Sequence, residues 1–167
     1  NSPSSALVRM NKFLTESGRL SRANRSGEFF VCLCICIVNT ETGHCRVAVA
    51  GVEPPIVFRP RPNALANWDT APIEQSGLPL GAWDTATYQE TDLYLGECDV
   101  LLMTTDGLTD AHPEIPSGEF FGRDGLVSVA RRIAGKSTLE EMGKLLLTSA
   151  RAFAGGRLRD DTCLIIA

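Results

Sequence analysis

Apolar and polar positions alternate along the chain with periods that mark most of its elements. Phe29–Val38 is an almost unbroken apolar run and predicts a strand buried on both faces. Thr40-Glu41-Thr42-Gly43 reads as a hairpin turn, after which His44–Ala50 returns with Cys45, Val47 and Val49 alternating with Arg46, Ala48 and Ala50. Ile56–Phe58 predicts a short strand. Residues 59–76, rich in Pro, Asn and Arg, predict no regular element, and Gly77–Gly81 predicts a rigid turn whose Leu78 and Leu80 plug the core edge. Tyr88–Leu95, Val100–Thr104 and Thr162–Ile166 supply three further strands. Helical spacing appears three times. Ala6, Leu7, Met10, Phe13 and Leu14 follow capping serines and predict a helix ending near Gly18, with a polar loop over 19–28. Leu126, Val129, Ala130 and Ile133, then Leu139, Met142, Leu145 and Leu146, predict helices over 125–133 and 138–153. Ser137 or Thr138 caps the second, and Gly155-Gly156 ends it. Between strand and helices, Pro113–Gly122 reads as a loop that tucks Phe120 and Phe121 inward. Antiparallel strands with segregated helices imply an α+β layered fold.

Composition narrows the class. A length of 167 residues favours one domain with a substantial core, and 44% hydrophobic with 22% charged residues is ordinary for a soluble globular protein. The net charge of −4 and pI near 5.2 argue against nucleic acid or an anionic membrane as the main partner. No apolar stretch reaches transmembrane length. The chain opens on Asn1 without a signal peptide, so it is expected to be part of a longer or processed protein. Cys32, Cys34 and Cys36 share one strand face, where same-strand bridges are awkward, and Cys45, Cys98 and Cys163 lie in apolar runs. All six are expected to be small buried hydrophobes in a reducing, cytoplasmic setting. Asn24-Arg25-Ser26 is then a chance match to a glycosylation acceptor.

The chemistry gathers at two places. Val100–Thr104 runs into Thr105-Asp106-Gly107, which puts the Asp106 carboxylate at a strand end where Gly107 lets the chain turn. The bland alternative is that Asp106 caps a helix beginning near Leu108. Arg159-Asp160-Asp161 abuts the final apolar strand in the same way. Two acidic strand edges in one small domain suggest a hard-cation site, since Mg²⁺ and Mn²⁺ prefer carboxylate and water oxygens. Nucleophilic catalysis through an imidazole has little support. His44 follows a hairpin turn; His112 follows the Asp106 turn and could approach the site, although the usual exposure of histidine favours a surface residue. No phosphate-cradling Gly-rich loop is present. Arg157 and Arg159 either orient an anionic substrate or balance local acids in a solvated loop.

Three motifs, in this order, carry a resemblance: Thr105-Asp106-Gly107-Leu108-Thr109-Asp110-Ala111, Gly118-Glu119-Phe120-Phe121-Gly122-Arg123-Asp124-Gly125-Leu126, and Asp160-Asp161-Thr162. With Asn11, Val49-Ala50-Gly51, Pro54-Pro55 and Gly77–Gly81, they make the whole chain similar to PP2C-type protein serine/threonine phosphatases. The bacterial sporulation and stress-response (SpoIIE/RsbU-like) branch is the nearer match. The resemblance implies a sandwich of two antiparallel sheets flanked by helices over a single domain, 1–167. It implies that Asp106 and Asp160 are metal ligands, with Asp161 beside them and not itself a ligand. Two Mn²⁺ or Mg²⁺ ions are expected in the complete domain, with no catalytic group beyond the metal ligands. It also implies a phosphorylated protein substrate of the anti-anti-sigma type, in signal transduction through sigma-factor regulation. Nucleic acid and membrane are not expected partners, and a homodimer and an N-terminal sensor domain are compatible with the family. The chain departs from the pattern twice. The family's first motif, a Gly-Asp pair with a Gly-His-Gly-like turn, would lie before Asn1, and Ala50-Gly51-Val52 stands where Ala-Gly-His is usual. The alternative is therefore a catalytically inactive PP2C-like binding or sensor module.

Overall fold

The computed structural model describes residues 2–21, 30–60, 68–73, 76–114, 118–133 and 137–167. In chain order the elements are α1 (Pro3–Ser21), β1 (Leu33–Val38), β2 (His44–Ala50), β3 (Ile56–Pro60), β4 (Trp68–Pro72), β5 (Thr91–Tyr94) and β6 (Val100–Thr104). Then follow α2 (Asp106–Thr109), α3 (Gly122–Ile133), α4 (Leu139–Phe153) and β7 (Leu164–Ile166). The α+β reading holds: both sheets are antiparallel, one of order β1-β2-β5 and one of order β4-β3-β6-β7. The chain divides into two compact units, Asn1–Pro54 with Ile73–Leu95, and Pro55–Pro72 with Gly96–Ala167.

The first unit holds α1 and the three-stranded sheet. Leu7, Ala48, Ala50, Leu80 and Tyr88 form its core. Asn11 is the polar group inside it, 1% exposed. Its amide donates to Trp83 O (2.7 Å) and its Oδ1 accepts from Gly81 N–H (2.8 Å), which fastens α1 to the 81–83 turn. The second unit packs α2, α3 and α4 on the four-stranded sheet around Phe58, Leu102, Leu108, Leu126 and Leu146. Of the two caps that the sequence offers, Thr138 is the one used, and it caps α4 reciprocally with Glu141. A Cβ on Gly143 would lie 3.6 Å from Ile166, so α4 approaches β7 closely.

Several expectations need correction. The first helix continues through Gly18 to Ser21, since nothing crowds that glycine and the terminating signal was weak. The polar loop predicted beyond it falls, over 22–29, outside the described residues. Strand β1 begins at Leu33 and is only half-buried, because it lies at a sheet edge. Strand β5 is likewise shorter than its alternation predicts. The stretch predicted to be irregular contains β4, paired along its whole length with β3, so tertiary pairing overrides composition there. Leu80 is buried but Leu78 is exposed, and Phe121 is buried but Phe120 is exposed. All six cysteines are free, yet only Cys45 is buried; Cys32, Cys98 and Cys163 are exposed. Alternating strand periodicity cannot tell which face of an edge strand a neighbour covers.

Candidate metal centre

Strands β6 and β7 are paired, so the segments that carry Asp106 and Asp160 adjoin at the end of the sheet. Their register pairs Thr104 with Leu164, and the next step off the sheet is made by Thr105. Its N–H donates to Cys163 O (3.1 Å), its Oγ1 accepts from Cys163 N–H (2.9 Å), and its hydroxyl donates to Asp161 O (3.1 Å). One hydroxyl thus uses its donor and an acceptor lone pair to clamp the two acid-bearing strand ends. The clamp explains why Thr105, at the N-cap of α2, makes no side-chain cap bond. Sequence reading passed over it, because nothing in a single chain marks which neighbour a strand-end threonine will meet.

Helix α2 begins at Asp106 itself, two residues before the predicted start, and Leu108, fully buried, anchors it. Asp106 O accepts from Asp110 N–H (2.7 Å) and Thr109 Oγ1 (3.2 Å), and the four-residue spacing puts Asp106 and Asp110 on one side. That spacing was readable in the sequence. Gly107 serves a purpose other than the predicted turn. A Cβ there would sit 2.5 Å from Asp161 O, so its bare backbone lets α2 and the 160–162 segment close together.

Asp160 lines an open cleft of about 450 Å³ together with Gly107, Asp110, His112, Arg157 and Arg159. Asp106 is exposed beside Gly107 and is not among the cleft walls. Asp160 Oδ1 accepts from Asp161 N–H (2.7 Å), which leaves its other oxygen available. His112, expected at the surface, is half-buried in the cleft wall, with Nδ1 2.8 Å from Asp110 O and Nε2 3.1 Å from Arg159 Nη1. His44, by contrast, belongs to the first unit, its Nε2 2.7 Å from Asp92 Oδ1.

The donors fit a hard divalent ion in kind. Asp106, Asp110, Asp160 and Asp161 are all exposed, and among the described residues no lysine, arginine or histidine nitrogen lies within 4.0 Å of any of these carboxylates. A Mg²⁺ or Mn²⁺ ion needs few protein ligands because it keeps waters, which the cleft has room for. In number the set is small: among the described residues no group of three or more His, Cys, Asp or Glu side chains is arranged to hold one ion. The cysteines are poor substitutes. Cys34 and Cys45 have their thiol pKa pushed up to about 12, first by burial and then by the neighbouring Cys36, so both stay protonated at neutral pH. The Cys36 and Cys45 sulfurs lie 3.3 Å apart across β1 and β2.

With this geometry in view, the relatives are informative. The phosphatase domain of the cell fate determinant SpoIIE from Bacillus subtilis (Mn presoaked) matches with a TM-score of 0.60 at 14% identity, over 96% of this chain and 72% of that one. The RsbU and RsbW domains of a Mycobacterium tuberculosis protein match with a TM-score of 0.63 at 20% identity, over 97% and 45%. The SiaA PP2C domain of Pseudomonas aeruginosa gives 0.64 at 16%, over 92% and 57%. At such identities the likeness establishes the fold, that of PP2C phosphatase domains. No curated protein sequence matches significantly. Among the described residues no helix is long and apolar enough to cross a membrane. The family model for Stage II sporulation protein E (SpoIIE) matches residues 1–167, and the chain therefore belongs to this family of PP2C-type serine/threonine phosphatase domains.

Proposed function

We propose that residues 1–167 act as one phosphatase domain that hydrolyses phosphoserine or phosphothreonine on a bacterial regulatory protein of the anti-anti-sigma type, in the cytoplasm, with Mn²⁺ or Mg²⁺. The observation that carries this reading is the pair of clamped strand ends bearing Asp106 and Asp160, neither with a cationic partner among the described residues. Asp106 and Asp160 would hold the metal. When bound, such ions lower the pKa of coordinated water and neutralise charge on a phosphoryl group. The chain's own contribution is positional. Thr105 fixes the spacing of the two strand ends, Leu108 anchors α2 in the core, and the cleft admits a phosphorylated side chain beside Asp160. Asp161 gives its backbone carbonyl to Thr105 and so helps to hold the two strand ends.

The second reading, an inactive PP2C-like binding or sensor module, is favoured by one fact: the described residues supply no three-membered ligand group. Turnover separates the two. The phosphatase reading expects Mn²⁺-dependent release of phosphate from a phosphoserine peptide, abolished by chelation. Metal binding confirmed by calorimetry, with no release above background, would leave the binding module standing.

A further inference from the structure

Arg157 and Arg159 lie two residues apart in the segment between α4 and β7, and both line the cleft that contains Asp160. Both also line a second cleft of about 350 Å³ that runs on past Glu114 and Gly155. Among the described residues neither guanidinium has a carboxylate within 4.0 Å, although Asp160 and Asp161 follow directly in sequence. They are therefore not consumed in balancing local acids. The two differ in one respect. Among the described residues Arg157 has no hydrogen-bond or ion-pair partner, whereas Arg159 is held by a neutral one, His112.

The protonation state of that bond follows from donor counting. A guanidinium can only donate, so the His112 Nε2 that faces Arg159 must be the unprotonated nitrogen. The ring proton then sits on Nδ1 and donates to Asp110 O at 2.8 Å. Phe120 meets the ring edge-on at a centroid distance of 5.4 Å. The imidazole is thus held from two sides and aims one lone pair at Arg159. A neutral acceptor orients the guanidinium without cancelling its charge, unlike a carboxylate, and leaves the other N–H groups of Arg159 for an anion.

We propose that Arg159 is the substrate-binding arginine of this site, taking the phosphate monoester of the substrate beside Asp160, and that His112, as the Nδ1–H tautomer, is its positioning residue. This rests on the phosphatase reading for the identity of the anion and on the cleft geometry for the residue. The adjacent carboxylates of Asp110 and Asp160 repel a phosphate, so an arginine held in place has an electrostatic role in the cleft whether or not a cation is bound. Arg157, reaching the cleft unheld, pays more conformational entropy for any contact and contributes less.

The test uses the full chain with two probes: inorganic phosphate, followed by calorimetry with and without Mn²⁺, and a phosphoserine peptide in a turnover assay. Arg159→Gln should weaken phosphate binding by about tenfold and raise KM similarly, with kcat changed much less. Arg157→Gln should cost only a few-fold. His112→Ala should reproduce most of the Arg159→Gln loss. His112→Gln, whose side-chain carbonyl can still accept from Arg159, should restore part of it, which a merely structural role for the ring would not do. If the wild type turns over the peptide and Arg159→Gln leaves both KM and phosphate affinity unchanged, the proposal falls while the phosphatase reading stands. If phosphate binds and responds to Arg159→Gln but no turnover occurs, the subsite stands and the enzyme reading falls. Failure of wild-type protein to bind phosphate at millimolar concentration overturns the proposal outright.

Discussion

Two groups of acids, one in each unit, have different surroundings. In the first, Glu90 and Asp92 have structural partners. Glu90 accepts from Ser4 N–H (3.2 Å) and Ser4 Oγ (3.1 Å) at the start of α1 and faces Arg46 at 3.6 Å, and Asp92 meets His44 at 2.7 Å. Asn11 has both its donor and its acceptor satisfied inside the core. In the second unit, Asp106, Asp110, Asp160 and Asp161 stand exposed at adjoining chain turns, and among the described residues no cationic nitrogen lies within 4.0 Å of their carboxylates, although Arg157 and Arg159 line the cleft with Asp110 and Asp160. What is hydrogen-bonded there is the backbone and Thr105, which hold the acids in place without neutralising them. The contrast sets Glu90 and Asp92 apart as structural acids and leaves Asp106, Asp110, Asp160 and Asp161 as the acids without a cation within 4.0 Å among the described residues.

The largest effect should come from removing one of the unpartnered acids. Asp106→Asn should lower Mn²⁺ affinity and any Mn²⁺-dependent turnover by about a hundredfold or more, the scale on which single preorganised charges act. Its thermal stability should stay unchanged or rise slightly, within about 0.5 kcal/mol, because a like charge is removed from an exposed cluster. Calorimetric titration and a melting curve on the same sample decide the matter. A large loss of stability with metal affinity intact would place Asp106 with the scaffold residues and erase the comparison.

The converse experiment is on Asn11. Asn11→Ala removes the partner of Trp83 O and Gly81 N–H at once and leaves a small void in the core. An unsatisfied buried group costs about 1–3 kcal/mol, so a loss of roughly 3 kcal/mol is expected, read from denaturant midpoints at constant m-value. Metal binding by the protein that remains folded should be unaltered. A variant that unfolds no more easily than wild type would show that water replaces the side chain and that the turn at 81–83 does not depend on it.

How much of this was legible in the chain follows the same divide. The strand β6 and the acid after it, the capped helix α4, and the pairing of two acidic strand ends were all readable, because each rests on local periodicity or on a carboxylate where a strand stops. Partnerships were not readable. That Asn11 binds 70 and 72 residues away, that Thr105 clamps Cys163 and Asp161, and that His112 holds Arg159 all depend on long-range closure. Arg157 and Arg159 show the limit well. The sequence offers an anionic substrate or neighbouring acids as their partners, and only the fold reveals that among the described residues no carboxylate comes within 4.0 Å of either, although Asp160 shares their cleft. Strand β4 was missed for the same reason, since its pairing with β3 overrides a composition that favours a loop.

The smallest predicted effect sharpens the scaffold side of the comparison. Partial burial would raise the Glu90 pKa, but the Ser4 N–H, the Ser2 and Ser4 hydroxyls and Arg46 outweigh it and hold the carboxyl below its ordinary 4.5. A carboxylate depressed in the folded state binds its proton more readily when unfolded. Its contribution to stability is therefore complete above the ordinary value and is lost as pH falls through the folded one. Glu90→Gln should melt below wild type at neutral pH, by no more than a few degrees, and the gap should narrow on acidification below pH 4.5, where wild type itself becomes neutral at this position. Glutamine keeps an oxygen for Ser4 N–H but no charge for Arg46, so the part of the gap that responds to pH isolates the ionic contribution. Melting curves for both proteins across the acid range supply the answer. A gap that widens as the pH drops would mean that Glu90 is stabilised as the acid and that its hydrogen bonds do not favour the carboxylate.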